Sequence, residues 1–539
     1  MRLHEKLRGR VLTAVVVASV AAIAQVATAR AAAPGQQARQ AEILEKIARD
    51  NFGTLTEAER KLIRCAPFRD LPWVGPDANP DNPANDAAKA TKWGPERTVR
   101  AELLSWLCTD LEAAPYIHPS GLGIAAARIA GTLDLSYSKV GKPLTLLRCY
   151  IPDGIDLSHA QVESLELRKS VTGPIDGDMS AVKGDVALRY GTYGTASFFR
   201  SRIGGNLDCS GGRFPNSGHD ALSAIEATID GDALFHDGFE TDGFVDFRLA
   251  RVGRSLSFND ARFTGKSDSG LSAERASVDG TFYWVDIQQT ARTQLDLENA
   301  KVDALWDDQK SWPGSGNLIV DGFTYNHFSG GPSDAESRLG WLSRQPVGYL
   351  PQPYRQLAKV LNDAGQESGS TDVLIAKQDA QRRHGGLSRM ERLWNLMLEI
   401  TVGYGYRPLR ALWWIIGFVM VGTVLFGWGH HARLVTPTEE SAYQSFVASG
   451  AAPPHYPPFN AFVYSLENFL PVVDLYQGAY WRPNPRHSLK GSLRIAQREI
   501  DLGMIPAALL RWYLWIHIVA GWTLTPLLFA GLSGLIRAD

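Results

Sequence analysis

Cysteine is scarce in this chain: four occur in 539 residues, and no two are spaced as a CxxC pair. That excludes a disulfide-built scaffold and the familiar zinc-ribbon spacings. An excess of charge of either sign is also missing, since 55 lysines and arginines face 57 acids for a net charge of −2. With no global positive field, nucleic acid is not an expected partner. Charged residues make up 21% and hydrophobic ones 45%, which rules out wholesale disorder. No catalytic signature stands out either, so no cofactor, metal or catalytic residue is expected, and the chain leans away from being an enzyme.

Cys149 in LTLLRCY and Cys209 in LDCSGG sit among apolar, strand-like residues and read as buried, inert thiols. Cys65 and Cys108 lie in predicted helices further upstream. Whether they pair depends on export and on the approach of their Cα atoms.

Long apolar runs are confined to the two ends, which leaves the mean hydropathy at only −0.15. Residues 1–33 read as a secretory signal peptide or an uncleaved signal anchor: basic MRLHEKLRGR, apolar VLTAVVVASVAAIAQV, then small residues in ATARAAA. Residues 34–115 form a predicted helical capping region. Its helices are AEILEKIARD, LTEAERKLI and ERTVRAELLSWLCTDL, with a Pro/Asn/Asp-rich loop before the last.

Residues 116–330 carry a repeat. An Ala or Ser precedes by two positions an Ile or Val, often followed by Gly and two alternating apolar residues. It runs from ARIAGTLDL around Ile129 through Val162, Val182, Ile203, Ile229, Val252 and Val278 to Val302. From Val162 the anchors step by 20 to 26 residues, and only the interval from Ile129 is longer, with SKVGKPLTL at Val140 as a candidate extra turn. A period of that size with local alternation predicts a parallel β-helix, a solenoid whose coils stack at ~4.8 Å. Eight coils would extend on the order of 40 Å. The small residue before each anchor suits a tight corner.

Residues 350–407 switch to a helical period and form a predicted amphipathic stem, PQPYRQLAKVLNDAGQ, TDVLIAKQDAQRRHGG and LSRMERLWNLMLEI. The last, apolar on one side and rich in arginine, fits a helix at a membrane surface. Residues 408–539 form a predicted membrane hairpin with spans at about 408–429 and 511–536. Between them, about 458–476, PFNAFVYSLENFLPVVDLY is shorter and carries Glu467 and Asp474, so it reads as a re-entrant or interfacial segment.

The repeats, the PYRQLAKVLNDAG helix and the FNAFVYSLENFLPVVDLYQGAYWRP segment together resemble a family of bacterial membrane-associated proteins. These join a pentapeptide-like β-helix to a C-terminal membrane hairpin and are often labelled membrane-associated oxidoreductases. The resemblance covers nearly the whole chain after residue 33, although a strict five-residue period is not kept. It implies an inner-membrane, multi-pass protein in contact with membrane lipid. FNAFVYSLENF is also similar to the pore helix of two-span pore-loop channels. That would make the protein a homo-oligomer, with Asp474 or Glu467 as a pore or loop acid.

Several short motifs compete. GLGIAA, with Gly121, Gly123 and Ala126, matches a dinucleotide fingerprint, but runs straight into the first repeat and lacks the strand–helix context. TVGYG at 401–405 matches a potassium filter but precedes the span instead of following a pore helix. Asp134, Asp208, Asp230, Asp232 and Asp279 recur with the repeat and read as a solvated face. His430 and His431 read as an interfacial pair.

The leader predicts a periplasmic β-helix, whereas Arg382, Arg383, Arg389, Arg392, Arg407 and Arg410 argue for a cytoplasmic flank; the three agreeing regions of the leader favour the periplasm. Three functional expectations result: an anchored β-helical scaffold for an unknown protein or glycan partner, an oligomeric pore-loop protein, or a membrane-associated oxidoreductase.

Overall fold

The computed structural model describes residues 35–80, 82–216, 220–265, 269–484, 488–489, 492–495, 498–501 and 505–533. The leader assigned to 1–33 lies outside them. The chain divides into two units, Met1–Ser370 and Thr371–Asp539.

The first unit is a parallel β-solenoid. One wall is a nine-stranded sheet running from Leu133–Asp134 to Leu318–Ile319, parallel at every step. Val140, Val162, Val182, Ile203, Ile229, Val252, Val278 and Val302 stack in one inward column, each at most 7% exposed. Val140 is thereby a turn of the array, as expected, and the anchor at Ile129 is corrected. Val140, not Ile129, is the column's first member, 22 residues before Val162 (162 − 140). Ile129 belongs to another wall, where it pairs with Val99 of the strand Thr98–Arg100. The long first interval came from matching positions on different walls.

The corners follow from local chemistry. The residue just before each small one is left-handed: Tyr137, His159, Met179, Arg200, Glu226, Leu249, Arg275 and Asn299 have φ between 52° and 60°. That conformation costs a side-chain-bearing residue about 1–2 kcal/mol. In five coils an aspartate three positions earlier braces the bend: Asp134, Asp156, Asp176, Asp246 and Asp296 accept the N–H two residues ahead at 2.8–3.0 Å. The Ala or Ser that follows is buried in most coils, as at Ala160, Ser180 and Ala250. Further along, the core becomes aromatic: Phe235 stacks on Phe258 at 4.7 Å, and Phe258 packs on Trp284 at 5.8 Å.

Ahead of the coils, helix α1 (Glu57–Cys65) opens with a capping box between Thr56 and Glu59. Buried Glu59 also accepts from Arg100 Nε at 2.7 Å and Arg100 N at 3.0 Å. Helix α2 (Ala101–Thr109) buries Leu103, Leu104 and Leu107 beside the strands Leu133–Asp134 and Lys139–Val140. All four cysteines are free thiols. After the coils come helices α3 (Ala335–Leu342), α4 (Pro351–Asp363) and α5 (Glu367–His384), the last containing the boundary between units. Arg338 of α3 is fully buried and forks onto Asp307 at 2.6 and 2.8 Å.

The second unit contains α6 (Arg389–Val402), α7 (Arg410–His431), α8 (Ala461–Phe469) and α9 (Ala507–Leu532). Residues 410–431 and 508–532 are long and apolar enough to cross a membrane. Helix α8, at about 14 Å, is too short to do so and packs against both α7 and α9. Arg382 pairs with Asp379 and Glu399, and Arg407 with Asp372.

Candidate functional surfaces and the polar junction of the second unit

Alternate positions of the nine-stranded wall line up as a ladder: Asp134, Asp156, Asp176, Ser197, Ser223, Asp246, Ser272 and Asp296 are successive register partners, with Asp246 covered by its ion pair to Arg248. The expectation of a merely solvated acidic face is thus refined. Asp134 braces a corner, and Asp208 accepts Ser210 N at 3.0 Å in the same way. Asp232 accepts Ser255 N of the next coil at 2.9 Å, Asp230 pairs with Arg202 at 3.2 Å, and Asp279 is exposed. Burial, together with the nearby Glu274 and Asp246, holds the Asp296 carboxyl above the usual aspartate range.

One constellation on this unit was not legible from sequence spacing. Ser210 Oγ lies 3.3 Å from His236 Nε2, and His236 Nδ1 lies 3.1 Å from Asp237 Oδ1. The distances are those of a nucleophile–base–acid relay, but the surroundings differ. Ser210 is 2% exposed, and its hydroxyl donates to Asp208. The following N–H groups, of Gly211 and Gly212, are bonded to His236 O and Cys209 O. An attacking oxygen would have neither access nor oxyanion donors, so the row serves to tie two coils together.

The other motifs resolve locally. Leu122–Ala125 of GLGIAA is a strand paired with Leu144–Leu147, where a phosphate cradle needs a helix start. Gly403–Gly405 of TVGYG forms the turn after α6, with Gly403 and Tyr404 both left-handed. The Tyr404 hydroxyl donates toward Asp379 Oδ1 at 3.0 Å and Asn395 Oδ1 at 2.9 Å. His430 stacks on Phe459 at 4.5 Å. Among the described residues, no group of three His, Cys, Asp or Glu side chains is placed to hold a metal.

In the second unit α8 is held at both ends. Asn460 caps its start by accepting from Phe462 N and Val463 N. Near its end, Glu467 accepts from Gln477 N at 2.7 Å and Gly478 N at 3.0 Å, folding the following chain back on the helix. Asp474 lies exposed in that returning segment, its carboxylate accepting from Tyr476 N at 3.0 Å. The structure therefore gives the two sequence-singled acids separate roles, Glu467 as a latch and Asp474 as a free-standing turn acid.

The group that sequence reasoning missed is His517 of α9, fully buried where α7, α8 and α9 meet. Its Nε2 is 3.0 Å from Ser465 O, and its Nδ1 is 3.4 Å from the Tyr513 hydroxyl. A neutral imidazole protonated on Nε2 satisfies both contacts. Ser465 Oγ in turn donates to Val419 O at 2.8 Å. A side chain at Gly422 would overlap Ser465 Oγ and the His517 ring. The available signal was one ionisable residue in an apolar run.

No family model, curated protein or solved structure matches this chain.

Proposed function

We propose that this protein is a membrane-anchored scaffold whose solenoid presents a rigid, repeating polar face to a protein or glycan partner. The observation that carries the reading is the Asp/Ser ladder from Asp134 to Asp296, in register on one parallel wall, with its corners braced by its own aspartates. Such a surface changes little on binding, so recognition costs little ordering entropy. In this reading the helices before residue 116 cap the coils, residues 350–407 form a stem, and the two apolar helices cross the bacterial inner membrane. With residues 1–33 acting as a leader, the solenoid lies in the periplasm in this reading. The pentapeptide-like kinship expected from the repeats belongs to the same proposal.

Photo-crosslinking tests it: a benzophenone amino acid is placed at Ser197, Ser223 or Ser272 of the ladder, or at Lys183 off it. A discrete adduct from the ladder positions alone supports the reading. No adduct from any of them, or equal capture from Lys183, contradicts it.

A second reading, an oligomeric pore-loop protein, is favoured by α8. A short helix packed against both long apolar helices, with its returning segment latched by Glu467, has the arrangement of a pore helix and its loop. Bilayer recording distinguishes it: conductance that falls on Asp474→Asn favours the pore, and silent bilayers exclude it.

A further inference from the structure

Helix α6 turns most of its apolar side outward. Met390, Leu393, Trp394, Leu396 and Ile400 form one stripe at helical spacing, and they are 76%, 61%, 54%, 41% and 48% exposed. The inward side carries two half-buried polar groups beside buried Val402. Asn395 accepts from the Tyr404 hydroxyl at 2.9 Å, and Glu399 is ion-paired with Arg382. In water a helix turns its apolar stripe to the protein and its polar side to solvent; α6 buries only Val402 and leaves this stripe outside.

What covers the stripe is indicated by its neighbours. The chain leaves α6 through the left-handed Gly403 and within a few residues enters α7, one of the two membrane-length helices. Trp414 Nε1 of α7 donates to Ile400 O at 3.2 Å, fixing α6 to the start of α7. The N-terminal end of the stripe is flanked by Arg383, Arg389 and Arg392, all exposed and, among the described residues, in no ion pair. Their neighbours Arg382 and Arg407 are ion-paired.

We propose that α6 lies in the plane of the membrane surface, its stripe in the acyl-chain boundary and Arg383, Arg389 and Arg392 on the phosphates of anionic phospholipid headgroups. An apolar stripe beside a row of cations is the pattern of an interfacial helix. Each surface cation contributes about 1 kcal/mol toward an anionic leaflet, or about fivefold in lipid preference. The proposal rests on the membrane crossing of α7 that the scaffold and pore readings share, and on nothing that separates them.

The test uses the full chain in nanodiscs of phosphatidylcholine with phosphatidylglycerol. A spin label is placed at Leu393→Cys or, for comparison, at Lys183→Cys on the solenoid, with the signal of the unsubstituted chain subtracted. The 393 label is expected to collide with dissolved oxygen and to be shielded from a water-soluble nickel complex, and the 183 label the reverse. Nickel access at 393 equal to that at 183 overturns the proposal, and so does dipolar broadening at 393, which would mean a second copy covers the stripe. For the headgroups, native mass spectrometry compares co-purified lipid from the unsubstituted chain and an Arg383→Gln/Arg389→Gln/Arg392→Gln variant. These positions are exposed, so the fold is expected to persist. Retained phosphatidylglycerol relative to phosphatidylcholine is expected to fall at least tenfold, and an unchanged ratio overturns the anionic assignment.

Discussion

Replacing Arg338 by methionine isolates what closes the last coils. The guanidinium makes two bonds to Asp307 at 2.6 and 2.8 Å and a third to Pro332 O at 2.6 Å, and it lies 4.0 Å from the Phe328 ring centre. Arg338 and Asp307 expose 0% and 3% of their side chains. Methionine keeps the apolar stem but leaves a buried carboxylate with Trp312 Nε1, at 2.9 Å, as its remaining side-chain donor. Removing one partner of such a pair costs about 3–5 kcal/mol. If some 300 residues unfold together, an unfolding entropy near 2.1 cal/mol/K per residue converts this to a Tm lower by roughly 5–8 °C. If only the last coils open, their amides, in Lys301–Asp307 and His327–Gly330, should exchange roughly 10²- to 10⁴-fold faster. Hydrogen exchange read by mass spectrometry separates these cases. Adding Asp307→Leu removes the stranded charge and should recover most of the loss. The reasoning is refuted if Arg338→Met costs under about 1 kcal/mol, or if the double variant is the less stable.

Glu59 gives a pH dependence. Burial raises its pKa, but the bonds from Arg100 and from the Thr56 and Arg100 amides outweigh that and leave it lowered. A lowered folded pKa contributes stability above the unfolded value of about 4.3, lost as pH falls through the folded one. Thermal melts should therefore show an acid-side decline that is shallower in Glu59→Gln, and identical slopes would contradict it. Gly521→Ala would drive a methyl into the carbonyl of Phe469 at the end of α8. Loss of a single well-dispersed state of the second unit by NMR is expected, whereas Gly417→Ala, with open space around it, should be silent. Burial pushes the Cys149 thiol up to about 12. Iodoacetamide at pH 8 should leave it unmodified in the folded chain and alkylate it in denaturant.

The solenoid was legible because its corners repeat: a small residue two places before each aliphatic anchor is a local requirement of a left-handed bend, visible without any tertiary knowledge. Val140 was harder, since the Ala at 127 before Ile129 imitates the same signal on a different wall. The Arg338–Asp307 fork spans 31 positions and leaves no local trace. The aspartates were visible as a periodicity, but their role was not, because an Asx brace and a solvated acid look alike in sequence. In the second unit, hydropathy located both long helices to within a few residues. It concealed His517, whose partner Ser465 is identifiable only once α8 is packed. The apolar side and the arginines of α6 were legible, whereas the ties of Asn395 to Tyr404 and of Glu399 to Arg382 were not.

The scaffold account is tested most directly by a native mass spectrum of the detergent-purified full chain, reading subunit number and bound mass together. The account predicts a monomer or dimer carrying phospholipid and nothing heavier. A trimer or tetramer would contradict it in favour of the pore, and an added mass matching a flavin or nicotinamide nucleotide in favour of an oxidoreductase.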